Sequence, residues 1–86
     1  MKINREQTLI LAELKASKAI KPLRGLTASE LSHKIPGNIK QSIIYRNALK
    51  LRDMGLVNNG IKVSRQHSYY ITQMGIQVLD EEKNKQ

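Results

Sequence analysis

Cysteine, phenylalanine and tryptophan are absent from this chain of 86 residues, and tyrosine occurs only three times. The lack of cysteine excludes disulfides and thiolate metal sites. At this length we expect one domain, with a core built from aliphatic side chains, chiefly ten isoleucines and ten leucines. No apolar run approaches the ~20 residues that span a bilayer. The N-terminus shows no signal-peptide pattern. We therefore expect no membrane partner and a cytoplasmic location.

Acidic residues are also scarce, with seven Asp and Glu against fifteen Lys and Arg, so the net charge is +8. A field of this sign attracts polyanions, such as nucleic acids or an anionic membrane surface. The positive charge lies mainly in the second half of the domain: residues 34–67 contain seven basic side chains and a single acidic one, Asp53. Residues 80–86 are slightly acidic by comparison.

The chain offers little for catalysis. Its two histidines, His33 and His67, lie far apart, and its few carboxylates form no metal-ligand spacing, no catalytic triad and no glycine-rich phosphate loop. We expect neither an enzyme nor a metal or other cofactor.

Capping patterns predict the first two helices. Asn4 and Gln7 are spaced as a capping box, and apolar residues follow at helical intervals, which predicts a helix over 5–17. Thr27 and Glu30 form a second box that opens a short helix. Pro36 and Gly37 in "IPGN" end it.

Asn38 and Gln41 have the spacing of a third box, which predicts a long helix over 39–54 in "IKQSIIYRNALKLRDMG", with Gly55 just beyond its end. A short helix, a tight turn and a longer helix together indicate a helix-turn-helix. A wheel at 100° per residue gives this helix two faces. The core face carries Ile44, Ala48 and Leu51, and the opposite face carries Ser42, Arg46, Leu49, Lys50 and Asp53.

The period of apolar residues then changes from helical to alternating in "LVNNGIKVSRQHSYYIT", which predicts a β-hairpin. With Arg65, Gln66 and His67 as its tip, Lys62 faces Tyr70, and one face of the hairpin becomes apolar. That apolar face comprises Ile61, Val63, Tyr69 and Ile71. A competing register turns at Asn59-Gly60 and leaves residues 64–70 unpaired. We favour the longer hairpin because it pairs every apolar residue.

A last helix follows Thr72, which is suited to cap it. Its apolar stripe comprises Ile71, Met74, Gly75, Val78 and Leu79. The polar residues after Asp80 are expected to fray, so we expect a domain over 1–80 and a polar tail over 81–86. The predicted fold class is α+β and mostly helical, with three helices, a β-hairpin and a C-terminal helix.

This order of elements resembles the winged helix-turn-helix family, and most closely the DNA-binding domains of MarR-like and PadR-like transcription regulators. "SIIYRNALKLRDMGLV" (42–57) looks like the family's recognition helix running into its first wing strand. "YYITQMGIQVL" (69–79) is similar to the closing strand, where "IT..G...L" stands for the usual "LT..G...L". The long dimerisation helices of MarR-like proteins and the Asp-x-Arg feature of their wing are not found in this sequence.

The resemblance implies that the third helix enters the major groove of DNA and that the wing contacts the backbone. Arg and Gln suit base edges, whereas Ser and Tyr hydroxyls suit phosphates. The expected DNA-binding residues are Lys40, Gln41, Ser42, Tyr45, Arg46 and Lys50 on the helix, and Lys62, Arg65, Gln66, His67 and Tyr70 on the wing.

The expected function is sequence-specific binding of double-stranded DNA, as a small transcriptional regulator that acts as a homodimer. No small-molecule effector site is evident. Two alternatives stay open. One is a protein-interaction module on the same fold, with Ile43, Leu49 and Tyr70 as its binding face. The other is an architectural or replication factor that binds DNA without sequence preference.

Overall fold

The computed structural model describes residues 2–84, which form four α-helices, one 3-10 turn and three short strands. In chain order these are α1 (Arg5–Ala16), the 3-10 turn Pro22–Arg24, β1 (Leu26–Thr27), α2 (Ala28–Lys34), α3 (Gln41–Asp53), β2 (Val57–Asn59), β3 (Ser68–Ile71) and α4 (Gln73–Asn84). The predicted α+β class, with a helix-turn-helix followed by a hairpin and a last helix, is confirmed. None of the helices within residues 2–84 is long and apolar enough to cross a membrane.

The first two helices begin with the capping boxes that their sequences predict. Asn4 Oδ1 accepts from the Gln7 amide at 2.8 Å, and Gln7 Oε1 accepts from the Asn4 amide at 3.0 Å. Thr27 and Glu30 repeat this exchange at the start of α2, at 3.1 and 3.0 Å. In both helices the box satisfies amides that have no partner inside the helix.

The third predicted box is wrong. Gly37 and Asn38 both take positive φ, 106° and 55°, so Asn38 lies inside the turn and not at a helix start. Lys40 becomes the N-terminal cap residue of α3, and within residues 2–84 no side-chain hydrogen bond caps the helix. The predicted end is confirmed, because Gly55 has φ 80° and the Leu56 amide donates back to the Leu51 carbonyl at 2.9 Å.

The three strands form one antiparallel sheet in the order β1-β3-β2. In β3, Tyr69 faces both neighbours, pairing with Leu26 of β1 and with Asn59 of β2, while Ile71 pairs with Val57. β1 was not predicted from the sequence, because its two residues are too few to show alternation and the second of them, Thr27, is also the α2 cap.

Both predicted hairpin registers are wrong. β2 spans Val57–Asn59, and the chain turns at Ser64 and Arg65, whose φ angles are 48° and 69°. Val63 forms an isolated bridge with Gln66 across this turn. Ile61 and Val63, which were expected in the core, are 48% and 41% exposed. We refer to residues 61–67 as the hairpin tip and to β2 with β3 as the hairpin base.

Gly60 explains the divergence between base and tip. Its amide still pairs with the Ser68 carbonyl, but the next amide, that of Ile61, donates to the Pro22 carbonyl at 3.0 Å. A Cβ at Gly60 would lie 2.5 Å from that carbonyl oxygen and 2.7 Å from Ser68 Oγ. The backbone therefore passes so close to the 3-10 turn that only glycine fits, and the tip leaves the core.

The two adjacent tyrosines nevertheless lie on the faces of the hairpin that were predicted for them. Tyr69 is completely buried, and Tyr70 is only half-buried. Tyr70 lies opposite Asn58 and not opposite Lys62. The partner has moved by four positions, an even number, so the alternation of faces is unchanged.

The core joins all four helices to the sheet. Ile44, Ala48 and Leu51 of α3 are buried, as the helical wheel predicts. Aliphatic side chains of α1, the α2 region and the hairpin base pack against them. The fully buried members with the largest side chains are Tyr69, Ile10, Leu11, Leu14, Leu31, Ile44, Leu51, Leu56, Ile71 and Leu79.

The last helix begins as predicted but differs in two details. The Thr72 hydroxyl accepts from the Gly75 amide at 3.1 Å and donates to the Gly55 carbonyl at 2.7 Å, which anchors α4 to the end of α3. Met74, expected in the apolar stripe, is 49% exposed because it lies over the exposed Gly55 at the edge of the core. Residues 81–84 of the predicted tail are helical, and residues 85–86 lie outside the described residues.

Candidate nucleic-acid interface

A cleft of about 540 Å³ lies between the start of α3, the start of α2 and the hairpin tip. It is open to solvent on one side of the molecule. Among residues 2–84, its lining includes the cation Arg65 and no acidic side chain. The lining residues are Ala28, Gln41, Ser42, Tyr45, Arg65, Gln66, His67 and Tyr69.

The open start of α3 forms one wall of the cleft. Because no side chain caps this helix, the amides of its first residues, Gln41 and Ser42, precede the first helical hydrogen bonds and have no partner within the helix. Both residues are exposed. The partial positive charge of the helix N-terminus therefore faces the cleft and favours an anion there.

The exposed face of α3 extends from this wall. Tyr45 is 45% exposed and lines the cleft, and Arg46 and Lys50 are exposed on the side away from the core. The single acidic residue of α3, Asp53, lies at its far end, 3.9 Å from Arg52. The first half of α3 is thus purely polar or basic on its solvent side.

The hairpin tip forms the opposite wall. Arg65, Gln66 and His67 are exposed and line the cleft, and the tight turn at Ser64 and Arg65 turns the chain back toward α3. Lys62 is exposed on the ascending arm of the tip, outside the cleft lining.

The structure brings six of the eleven predicted site residues together. These are Gln41, Ser42, Tyr45, Arg65, Gln66 and His67. Arg46, Lys50 and Lys62 are exposed beside the cleft, and Lys40 borders two grooves around the α2–α3 turn. Tyr70 is half-buried on the opposite face of the sheet from Tyr69, so it does not line the cleft.

Two lining residues were missed from the sequence, Ala28 and Tyr69. Tyr69 was assigned to the core alone, and its ring is indeed fully buried, yet it also lines the cleft. Its hydroxyl is enclosed and has no hydrogen-bond partner among residues 2–84. Burial raises the pKa of Tyr69 above its usual value; Tyr45 raises that pKa further, and Arg52 lowers it. The sequence held one indication of this second role, because the core contains a tyrosine although the chain has no phenylalanine.

A buried polar link fixes α3 against α1. Asn47 Oδ1 accepts from Asn4 Nδ2 at 3.3 Å and from Gln7 Nε2 at 3.2 Å. Asn47 Nδ2 donates to the Ile43 carbonyl at 3.0 Å. The capping box of α1 therefore also holds the middle of α3, which sets how the exposed face of α3 is presented.

Ile43, Leu49 and Tyr70, the alternative binding face for a protein partner, do not lie together on one surface. Ile43 and Leu49 are half-buried, and Ile43 lines a separate groove between the start of α1 and the α2–α3 turn. Tyr70 lies in the sheet. Among residues 2–84, no three His, Asp or Glu side chains gather as a metal site would require.

Solved structures share this arrangement over nearly the whole chain. TubR from Bacillus megaterium pBM400 superposes with a TM-score of 0.77 at 18% identity, over 93% of this chain and 86% of TubR. The DNA-binding TubR fragment from Clostridium botulinum superposes with a TM-score of 0.72 at 26% identity, over 94% of this chain and 98% of the fragment. The chain has the winged helix-turn-helix fold. In this fold α3 is the second helix of the helix-turn-helix, and the hairpin is the wing.

The MepR–DNA complex of S. aureus gives a third winged-helix match, with a TM-score of 0.74 at 18% identity. The aligned region covers 95% of this chain but only 63% of MepR. No protein-family model and no curated protein matches the sequence significantly.

Proposed function

We propose that this chain binds double-stranded DNA in a sequence-specific manner, as a small transcriptional regulator. The observation that carries the proposal is the cleft, which brings the uncapped start of α3 and the basic hairpin tip to one side of the molecule without any acidic lining residue. The similar structures support it, since one is a DNA-binding fragment, one is a DNA complex, and MepR is described as a transcription regulator.

In the proposed complex, α3 enters the major groove. Gln41 and Arg46 are the residues for base edges, because Gln pairs with adenine and Arg with guanine in bidentate fashion. Ser42 and Tyr45 suit phosphates, and Lys40 and Lys50 add charge toward the backbone. The tip residues Lys62, Arg65, Gln66 and His67 contact the adjoining backbone or minor groove. Tyr70 contributes through the stiffness of the hairpin base.

Selection of bound sites from random duplex DNA tests the proposal. We expect a recurrent sequence, and we expect affinity that falls steeply as salt rises. Enrichment of no sequence despite salt-sensitive binding would favour the architectural or replication factor. Failure to bind duplex DNA at low salt, together with salt-insensitive capture of a protein, would favour the interaction module.

Arg46→Ala tests the base-reading role within the selected site. The residue is exposed opposite the core face, so the fold should survive. Loss of a guanine contact should reduce discrimination at one base pair by about 1–3 kcal/mol. Lys83→Ala on α4, an exposed cation on the last helix, is the matched control and should change nothing. Equal discrimination by Arg46→Ala and wild type would remove Arg46 from base reading.

We also propose that the protein acts as a homodimer on a two-fold site, because one winged helix reads only a short sequence. α1 and α4 are the candidate contacts. They pack together, are tied by a 3.0 Å ion pair between Lys15 and Asp80, and carry the half-buried apolar residues Leu9, Ala12 and Ile76. Analytical sedimentation should show two copies on a palindromic duplex. A single copy both free and bound would contradict the dimer.

A further inference from the structure

One polar group in the cleft is not used by the contacts proposed above. The Tyr69 hydroxyl has less than 1 Å² of accessible surface and no hydrogen-bond partner among residues 2–84. A buried hydroxyl without a partner destabilises the fold. Phenylalanine would fill the same space without that cost, whereas an acceptor supplied by a bound ligand would offset it.

The position of this hydroxyl points to the cleft. Tyr69 lines the cleft together with Tyr45, and the two side chains are close enough for a charge on Tyr45 to oppose ionisation of Tyr69. Burial also keeps the pKa of Tyr69 above its ordinary value, so at neutral pH the group is a protonated donor. It therefore requires an acceptor.

The second, independent feature is the start of α3. Gln41 and Ser42 line the same cleft, and the amides at this start of α3, a helix 13 residues long, receive no side-chain cap. Arg65 adds a full positive charge from the opposite wall. Three neutral donors and one cation thus surround a space in which no lining side chain carries negative charge.

We propose that this cleft seats one phosphodiester group of the bound duplex, with the Tyr69 hydroxyl and the Gln41 and Ser42 amides as its donors. The inference rests on the proposed DNA binding and identifies the group that enters the cleft. A phosphodiester suits the site because its oxygens are anionic acceptors, and helix amides with a hydroxyl are the donors that hold such groups. Because the hydroxyl is enclosed, contact requires a local shift of the side chains around it when the duplex binds.

A phosphate contact has a different signature from a base contact. It weakens binding to all duplexes by the same factor and leaves the ratio between selected and unrelated sites unchanged. Loss of one hydrogen bond to a charged group should lower affinity about tenfold. A base contact would change the ratio instead.

Tyr69→Phe is the direct test, and Ser17→Ala, which removes a half-buried hydroxyl that does not line the cleft, is the control. Tyr69→Phe keeps the ring and removes the unpaired hydroxyl, so its melting temperature should equal or exceed that of wild type. Its affinity should fall about tenfold for the selected duplex and for an unrelated one. Ser17→Ala should leave the affinity for both duplexes unchanged, because Ser17 lies outside the cleft. If Tyr69→Phe bound both duplexes with wild-type affinity, the proposed phosphate contact would be overturned and the proposed function would stay intact.

Duplexes with single neutral methylphosphonate linkages locate the contact. One linkage should weaken wild-type binding, and the same linkage should cost Tyr69→Phe much less, because the two changes remove one interaction. Full additivity at every linkage would overturn the phosphate contact. If the wild-type protein bound no duplex, the proposed function and the proposed phosphate contact would both be overturned.

Titration with inorganic phosphate alone distinguishes a site for the DNA backbone from a site for a free anion. It should shift the NMR signals of the Gln41 and Ser42 amides only weakly and without saturation at millimolar concentration. Saturation at micromolar phosphate would overturn the assignment to the DNA backbone and indicate a site for a free anion.

Discussion

The base and the tip of the hairpin are built from the same stretch of chain yet serve different purposes. In the base, Val57, Tyr69 and Ile71 are at most 2% exposed and belong to the core. In the tip, all residues from 61 to 67 are exposed, including two aliphatic ones. The change occurs at Gly60, within a single residue. Stability should therefore depend on the base, whereas changes in the tip should affect DNA binding with little effect on stability.

The helix starts show the same division. α1 and α2 begin with complete capping boxes, and the α1 box is tied to the buried Asn47. α3 begins without a side-chain cap, beside the cleft. The helix starts that only stabilise the fold are thus capped by side chains of the chain itself. The start of α3, which lies beside the proposed ligand, has no such cap.

The largest effect is expected in the base, from Tyr69→Ala. Removal of this fully buried ring should reduce the free energy of unfolding by about 3–5 kcal/mol, a large share of a small domain's stability. Thermal melts should show a sharp fall in melting temperature, and DNA binding should be lost through unfolding. Tyr70→Ala, on the half-buried neighbour, should keep nearly the full melting temperature. If Tyr70→Ala were the variant that unfolds, the assignment of faces would be reversed.

Gly60→Ala breaks the junction between base and tip. The added methyl group would lie 2.5 Å from the Pro22 carbonyl oxygen, so the backbone must move. We expect a loss of about 1–3 kcal/mol in the free energy of unfolding, and weaker DNA binding at temperatures where the variant is folded, because the tip is displaced. Asn58→Ala, at an exposed position on the same strand, provides the control. A fully stable Gly60→Ala with unchanged binding would show that the close approach does not direct the tip.

Arg65→Ala acts on the tip alone. Its side chain is exposed, so the melting temperature should stay within the range of a surface substitution. DNA binding should weaken for all sequences, and the slope of log K against log salt should decrease by about 1. Lys83→Ala removes an equal charge from α4 and should leave the slope as it is. A common decrease in both variants would mean that net charge, and not the tip, determines binding.

The smallest effect concerns alkaline pH. Burial raises the pKa of Tyr69 above 10.0 in the folded chain, so folding favours the protonated hydroxyl. The contribution of protonated Tyr69 to the free energy of unfolding is fully present below pH 10. It is lost as the pH rises through the ordinary pKa toward the raised pKa. Between roughly pH 8 and pH 11, the melting temperature should fall more steeply with pH for wild type than for Tyr69→Phe. Parallel curves would contradict a buried hydroxyl.

Local chemistry explains how much of the fold was predictable from the sequence. The boxes at Asn4 and Thr27, the Gly55 end of α3, the Thr72 cap and the core face of α3 all depend on residues within one or two helical turns. Such patterns are satisfied within the chain segment that carries them, so the sequence displays them directly.

The features that were missed depend on distant partners. The start of α3 moved because Gly37 and Asn38 form a left-handed turn. The hairpin register was decided by the Pro22 carbonyl, which lies 39 residues before Ile61 and takes its amide. Of the candidate site, the exposed polar residues of α3 and the tip were predictable, whereas the arrival of Tyr69 in the cleft depended on the three-dimensional arrangement of sheet and helix.

The central claim is that α3 and the hairpin tip together bind duplex DNA. The most direct measurement is the affinity of wild type and of the double variant Arg46→Ala/Arg65→Ala for the selected duplex, titrated over a series of salt concentrations. We expect a linear fall of log K with log salt for wild type, and a slope smaller by up to about 2 for a double variant that remains folded. Affinity that ignores salt, or a folded double variant that binds as wild type does, would contradict it.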